Sequence, residues 1–309
     1  MSDSCVLVTG GSGFIGTWVL RELLAHGIRS VVIDTQPAPE RWQRVLGDRA
    51  GEVAWASASL QDRDALQSVL ESHGVTHVIH LAALLTPACQ ADPWLGCQVN
   101  VLGSTAVFDA ARRSGRVRSL AYASSYAVYG PGTGETEADA THPTMFYGAF
   151  KLAVDLIAEQ YWRHHGIASV AVRPHVVYGP ERDQGLTAGP SLAARAAARG
   201  ERYTIGYTGR VGYDYIEDVA RAFVRCALET PAGASVADLP GEQATTEEFI
   251  QAIAAVLPEA ASQIRVEGPE IPTNIPTDPH YLPRLFPDWK ATSLREGVRR
   301  TVEFYRRAQ

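Results

Sequence analysis

Cys5-Val6-Leu7-Val8-Thr9-Gly10-Gly11-Ser12-Gly13-Phe14-Ile15-Gly16 opens a stretch that runs to Asp34 and decides the fold. Val6, Leu7 and Val8 form an apolar run of strand character. A glycine cluster follows, then Phe14, Val19, Leu23 and Leu24 at helical spacing, then a second apolar run closed by Asp34. Strand, glycine turn, helix, strand and acid within about 30 residues is the layout that binds a dinucleotide. Gly10, Gly11 and Gly13 remove Cβ atoms from the turn, so amide N–H groups can approach a pyrophosphate. Gly16 lets the helix pack closely on the sheet. The helix opens near Ser12 and offers the anion unpaired N–H groups and the positive end of its dipole. Asp34, 18 residues beyond Gly16, is placed to accept from ribose hydroxyls and to repel a 2′-phosphate. NAD is therefore the expected cofactor, ahead of NADP.

The 309 residues suit one large α/β domain, or a domain with a smaller lobe. A net charge of −6 and a pI near 5.9 argue against non-specific binding to nucleic acid or an anionic membrane. The apolar runs are strand-length, so no transmembrane helix is expected. The first strand starts too early to leave room for a signal peptide. Cys5, Cys89, Cys97 and Cys226 show no CxxC pair and no ligand spacing, which fits free thiols in a cytoplasmic enzyme. His77 and His80 lie three apart in a strand and point to opposite faces, so no metal site is expected.

Along the chain, a short helix is expected near Arg41–Leu46, a strand at Val53–Ser57, a helix over Asp62–Ser72 and a strand at Thr76–Leu81. A long helix at Trp94–Ser114, a strand at Arg118–Ala123, a Gly/Pro/Thr-rich loop from Gly130 to Thr144, a helix at Tyr147–His165 and a strand at Ala168–Arg173 follow. Such regular alternation implies a parallel sheet covered on both faces. Beyond Pro174 the rhythm breaks. An Ala-rich helix (Ser191–Arg199) is expected there, then a strand and helix over Val211–Leu228 returning to the main sheet. Helices near Thr246–Leu257 and Leu294–Arg306 complete the chain. The expected division is a nucleotide-binding domain, 1–174 with 206–229 returning to it, and a substrate lobe, 175–205 and 230–309. Ligands of open α/β sheets bind at the carboxyl edge of the strands.

Ser125, Tyr147 and Lys151 form a second constellation. Tyr147 and Lys151 stand at i and i+4 and share one helix face. A tyrosine titrates near pH 10 when unperturbed; a neighbouring ammonium favours the phenolate. Tyr147 is thus a candidate general base towards a substrate hydroxyl while hydride leaves its carbon. Ser125, at a strand end, is placed to hydrogen-bond the same oxygen. Loop groups at the sheet edge are candidate substrate contacts: Leu84, Leu85, Thr86, Tyr126 and His175, with His175 also a candidate proton carrier near neutral pH. Arg182 and Arg210 are candidates for gripping a carboxylate or phosphate.

With these motifs the chain resembles the extended short-chain dehydrogenase/reductase family, the NAD-dependent epimerase/dehydratase group. The resemblance rests on Val8-Thr9-Gly10-Gly11-Ser12-Gly13-Phe14-Ile15-Gly16, His80-Leu81-Ala82-Ala83, Asn100-Val101-Leu102-Gly103-Ser104 and Ser124-Ser125-Tyr126-Ala127-Val128-Tyr129-Gly130. Tyr147-Gly148-Ala149-Phe150-Lys151, Arg173-Pro174, Val177-Tyr178-Gly179-Pro180 and Tyr215-Ile216-Glu217-Asp218-Val219-Ala220 extend it. It implies a doubly wound parallel Rossmann sheet with a smaller C-terminal α/β substrate lobe. It implies that Tyr147 is the base, that Lys151 holds the nicotinamide ribose and lowers the tyrosine pKa, and that Ser125 polarises the substrate oxygen. Asn100 would hold the active-site helix geometry. Cofactor contacts would come from Gly10, Gly13, Phe14, Ile15, Gly16 and Asp34, from Ser59, Leu60, Leu81, Ala82 and Ala83, and from Ser124, Pro174 and Val176. A homodimer through the two long helices is also implied.

Two departures from the family pattern bear on function. Ser59 stands where an adenine-binding Asp is usual. Val176 stands where members acting on nucleotide-diphosphate sugars carry an Asn that contacts the diphosphate, and a valine offers no donor. Only 130 residues follow Gly179 to cover a nucleotide. Together these favour an NAD-dependent oxidoreductase acting on a secondary alcohol of a small polar substrate, such as a sugar acid, polyol or hydroxy acid. The alternatives are a nucleotide-sugar 4-epimerase or dehydratase with tightly bound NAD, and a non-catalytic NAD-binding protein.

Overall fold

The computed structural model describes residues 4–130, 141–239, 241–271 and 281–307. Most of the expected loop from Gly130 to Thr144 lies outside them. In chain order the elements begin with β1 (Cys5–Thr9), α1 (Phe14–Ala25), β2 (Arg29–Asp34), α2 (Pro39–Leu46), β3 (Ala54–Ser57), α3 (Arg63–Ser72) and β4 (His77–His80). Next come α4 (Thr86–Ala91), α5 (Pro93–Cys97), a π-helical turn (Gln98–Leu102), α6 (Gly103–Ser114), β5 (Ser119–Ala123), α7 (Phe146–His165) and β6 (Ala168–Arg173). The chain continues with β7 (Val176–Tyr178), α8 (Gly189–Ala198), β8 (Tyr203–Ile205), β9 (Arg210–Tyr215), α9 (Ile216–Leu228), β10 (Ala234–Asp238), β11 (Glu242–Thr245) and α10 (Thr246–Val256). It closes with α11 (Ala260–Gln263), β12 (Ile264–Val266), α12 (Tyr281–Leu285) and α13 (Leu294–Arg307).

Two compact units result. Within the described residues the first takes in 4–129, 141–173 and 220–237. Its sheet has seven strands in the order β10-β6-β5-β4-β1-β2-β3, the doubly wound order in which the chain reverses direction beside β1. β1 pairs in parallel with β2 and β4, placing Thr9 opposite Ile33 on one side and His80 on the other. β1 and β4 are buried along their whole length, as strands covered on both faces must be. On one face Leu7, Val31 and Ile33 pack with Leu66 and Leu70 of α3, Val107 and Phe108 of α6, and Val154 and Ala158 of α7. Phe108 stacks on Tyr161 at 5.3 Å and meets Tyr122 edge-on at 5.5 Å. Each fully buried large side chain here contributes about 1.5–3 kcal/mol relative to exposure.

The second unit holds Gly130, residues 174–219 and the described residues from 238 onward. It contains a three-stranded sheet, β11-β9-β7, and a two-stranded one, β12-β8. The expectation that the strand beginning at Val211 rejoins the main sheet is corrected here. β9 pairs in parallel with β7 and antiparallel with β11, so its two edges are used within the small sheet. The seventh strand of the large sheet is β10, which sequence alone did not distinguish from the Pro-containing tail. The expected single helix at 94–114 is also interrupted. Its middle turn, Gln98–Leu102, is π-helical, the kind of bulge that turns one side chain out of register; Asn100 lies at its centre.

Candidate active site

The glycine turn has the form its sequence requires. Gly10 has φ +72°, and a Cβ there would stand 2.7 Å from the Ala82 amide nitrogen. A Cβ on Gly16 would run into the Gly10 carbonyl. Gly13 precedes α1, whose first turn carries no side-chain cap and no acid. Phe14 and Ile15 thus open the helix with their amides uncapped by side chains, a donor set that fits a dinucleotide pyrophosphate. Asp34 ends β2, with Oδ2 accepting from the Ser12 N–H at 3.1 Å and Oδ1 from the Thr35 N–H at 2.8 Å. Two residues missed in the sequence hold this turn from α2. Trp42 Nε1 donates to the Gly11 carbonyl at 3.1 Å, and Arg41 Nη1 to the Ser12 carbonyl at 2.8 Å. Ser59 is exposed, its hydroxyl accepting from the Gln61 N–H at 3.2 Å. The Leu60 side chain is turned into the core.

Leu81, Ala82 and Ala83 follow β4 and are half-buried. The loop after them is clamped by Asn100. Its Oδ1 accepts from the Leu84 N–H at 2.7 Å, and its Nδ2 donates to the Leu84 carbonyl at 3.0 Å. Thr86 then opens α4.

Ser125 follows β5 in extended conformation, and its Oγ accepts from the Ala127 N–H at 3.1 Å. The start of α7 presses on this same turn. A Cβ on Gly148 would collide with the Ala127 carbonyl, so only glycine there brings Tyr147 to its place. Lys151 is buried, its Nζ donating to the Ala123 carbonyl at 2.6 Å and lying 5.6 Å from the centre of the Tyr147 ring. Burial pulls the lysine down to about 8, opposed by the charges of Asp155 and Cys89. Ser125, Tyr147 and Lys151 are thus carried by the end of β5 and the first two turns of α7, as expected.

Beneath them runs a buried network that was not anticipated. Ser124 Oγ donates to Asp155 Oδ2 at 2.8 Å, and Arg173 donates to the same oxygen from Nη2 at 2.8 Å and Nε at 3.2 Å. Arg173 Nη1 reaches the Tyr129 hydroxyl at 2.7 Å. The Ser124 hydroxyl is therefore engaged with the framework.

The profile of the family described as NAD dependent epimerase/dehydratase matches residues 6–237 of this chain. The chain belongs to the NAD-dependent epimerase/dehydratase family. It is an NAD-dependent enzyme of the extended short-chain dehydrogenase/reductase kind. It is similar to the UDP-glucose 4-epimerase of Mycolicibacterium smegmatis, 29% identical over 97% of this chain and 98% of that protein. A UDP-glucose 4-epimerase of Cyamopsis tetragonoloba is 33% identical over 53% of this chain, but the match spans only 50% of that relative. Among solved structures, the UDP-glucose 4-epimerase of Thermus thermophilus in complex with NAD superposes with a TM-score of 0.82. It is 28% identical and covers 99% of this chain and 100% of its own.

Several expected substrate contacts sit differently in this family member than their residue types suggested. The His175 N–H donates to Asp214 Oδ2 at 2.8 Å, and its ring Nδ1 accepts from the Gly212 N–H at 2.9 Å. Burial drives the imidazole down to about 4, so the expectation of a proton carrier near neutral pH is corrected. Arg182 donates to the Val177 carbonyl and to the Thr187 hydroxyl. Arg210 is exposed and lies against Glu248 at 3.1 Å. Both guanidinium groups thus brace their own unit. Tyr126 is buried, its ring edge-on to Tyr129 at 5.7 Å. Pro174 is buried, and Val176 is buried within β7, opposite Tyr213.

Among the described residues no helix is long and apolar enough to cross a membrane. Cys5, Cys89, Cys97 and Cys226 are free thiols.

Proposed function

We propose that this enzyme is a nucleotide-sugar 4-epimerase acting on a substrate of the UDP-glucose type. The observation that carries the reading is the end-to-end match with the mycobacterial UDP-glucose 4-epimerase, joined to the intact Ser125, Tyr147 and Lys151. It takes the place of the small-substrate dehydrogenase favoured by Val176 and chain length alone.

In this reading Tyr147 removes the proton of the sugar 4-hydroxyl, with Lys151 stabilising the phenolate and Ser125 donating to the reacting oxygen. Bound NAD would supply a reversible hydride acceptor for C4. Hydride returned to the opposite face would invert that carbon with no net oxidation, and Tyr147 would give the proton back to the oxygen. The first unit would hold NAD through Gly10, Gly13, Phe14, Ile15, Gly16 and Asp34, and it also carries Ser125, Tyr147 and Lys151. A second reading keeps one specific support: Val176 cannot donate to a diphosphate, which suits a small polar substrate and net dehydrogenation.

The two are separated by incubating the NAD-loaded enzyme with UDP-glucose, and in parallel with sugar acids and polyols. UDP-galactose formed without net NADH supports the epimerase; NADH accumulating with a small substrate supports the dehydrogenase. The same reading includes a homodimer. Trp94, Leu95 and Leu102 on one helical stretch, and Phe146 and Leu156 on α7, are large apolar side chains exposed to solvent, as an unpaired protein–protein face would be. Light scattering at twice the monomer mass is the expected result. A cytoplasmic location completes it, in keeping with the free thiols, and cell fractionation tests it.

A further inference from the structure

One chain of hydrogen bonds crosses the first unit from the glycine turn to Asn100, and its direction can be read from the donors available. Thr9 and His80 are register partners at the ends of β1 and β4. Thr9 Oγ1 lies 2.6 Å from His80 Nδ1, and it accepts from the amides of Leu81 at 3.2 Å and Ala82 at 3.3 Å. On the other side of the ring, His80 Nε2 lies 2.8 Å from Ser104 Oγ, which donates to the Asn100 carbonyl at 2.6 Å.

A carbonyl can only accept, so the single Ser104 proton is committed to Asn100. Ser104 Oγ must then accept from His80, which places a proton on Nε2. A neutral imidazole leaves Nδ1 as an acceptor, and the Thr9 hydroxyl supplies its proton there. Thr9 keeps its lone pairs for the two amides. Every donor in the chain is used once, and Thr9, His80, Ser104 and Asn100 are all buried. Burial and the Lys151 ammonium push the imidazole down to about 3, consistent with a ring that stays neutral.

We propose that His80 is a positioning residue for cofactor binding: its neutral Nε2–H tautomer ties the Leu81–Ala82 backbone to the π turn at Asn100, so that one directional chain holds the segment from Leu81 to Leu84 at both ends. The front end is fixed through Thr9. The rear end is fixed through the grip of Asn100 on Leu84. The inference rests on the NAD assignment and on these residues lying along the cofactor, and it is independent of which sugar or other alcohol is the substrate.

The test is a double-mutant cycle read as NAD affinity by calorimetry, with no substrate present. Thr9→Val and Ser104→Ala each break one link, and each is expected to weaken NAD binding by about tenfold. Because the links belong to one chain, the double variant is expected to bind about as weakly as the worse single one. Thr9→Ser, which keeps the hydroxyl, is expected to restore affinity to within about twofold. Unchanged affinity in the single variants, or losses that multiply in the double variant, overturns the proposal. A second reading on the unsubstituted, NAD-free protein needs no variant to fold. Nitrogen NMR of His80 is expected to show Nε2 protonated and Nδ1 bare from about pH 5 to pH 8. A ring that titrates in that range, or the opposite tautomer, also overturns it.

Discussion

Asp155 and Arg173 form an ion pair with almost no access to water: Nη2 lies 2.8 Å from Oδ2, and the side chains are 8% and 3% exposed. Burial pushes the Asp155 carboxyl up, against the pull of Arg173, Ser124 and Tyr122. The pair joins α7 to β6 directly below Ser124, so it fixes the ground on which Ser125 and Lys151 stand. Asp155→Asn keeps the shape but leaves a buried guanidinium without its counter-charge, a loss of about 3–5 kcal/mol. Denaturant unfolding measures it. A variant within about 1 kcal/mol of the parent would show that the pair is dispensable.

Lys151 gives the enzyme a pH signature. Its pKa falls from 10.5 to about 8 in the folded protein. Between those values the unfolded chain holds the proton and the folded chain does not, so stability rises with pH. This contribution is complete above 10.5 and lost as pH falls through about 8. Compared with Lys151→Met, the parent is expected to gain stability steadily between these limits. A difference that stays flat across that window means the lysine is not held in a dry site.

Gly148 sets the approach of Tyr147 to Ser125. Adding a methyl group there drives it into the Ala127 carbonyl, and the first turn of α7 must shift. Gly148→Ala is expected to lower kcat by about a hundredfold, since displacement of about 1 Å has that effect. NAD affinity should fall far less than kcat, because in the proposed site most cofactor contacts come from the glycine turn and Asp34, which α7 does not carry. Loss of NAD binding in proportion to kcat would point to general unfolding instead.

Asp34 accepts from the Ser12 N–H, so its carboxylate is both a ribose acceptor in the proposed site and a brace of the glycine turn. Asp34→Ala is expected to weaken NAD and to narrow the preference over NADP. The measurement is the ratio of the two dissociation constants, and a ratio that does not move would free Asp34 from that role.

The cofactor half of the site was legible because its glycines answer demands that few other folds make at that spacing. Gly10 and Gly16 are excluded from being anything else by the backbone around them. Tyr147 and Lys151 were legible because a helix fixes the relation of i to i+4. The supporting groups were not. Trp42 reaches Gly11 across 31 positions, and Ser124 reaches Asp155 across the same number, distances at which no local pattern survives. The π turn escaped because Val99, Val101 and Leu102 suit any helix. His175, Arg182 and Arg210 were judged by side-chain type, and only the packing showed His175 Nδ1 bonded to the Gly212 N–H and both arginines bonded within their own unit. Val176 drew the substrate reading towards a small molecule, yet one missing donor weighs less than similarity along nearly the whole chain.

In the proposed reaction hydride leaves and returns to one sugar carbon under the control of Tyr147. This is tested by supplying UDP-glucose to the NAD-loaded enzyme and to Tyr147→Phe, following both sugar products and NADH absorbance. The parent is expected to form UDP-galactose with no lasting NADH, and the variant to bind NAD normally while turnover drops at least about a thousandfold. UDP-galactose formed at an undiminished rate by the variant, or NADH accumulating mole for mole with an oxidised product, would contradict it.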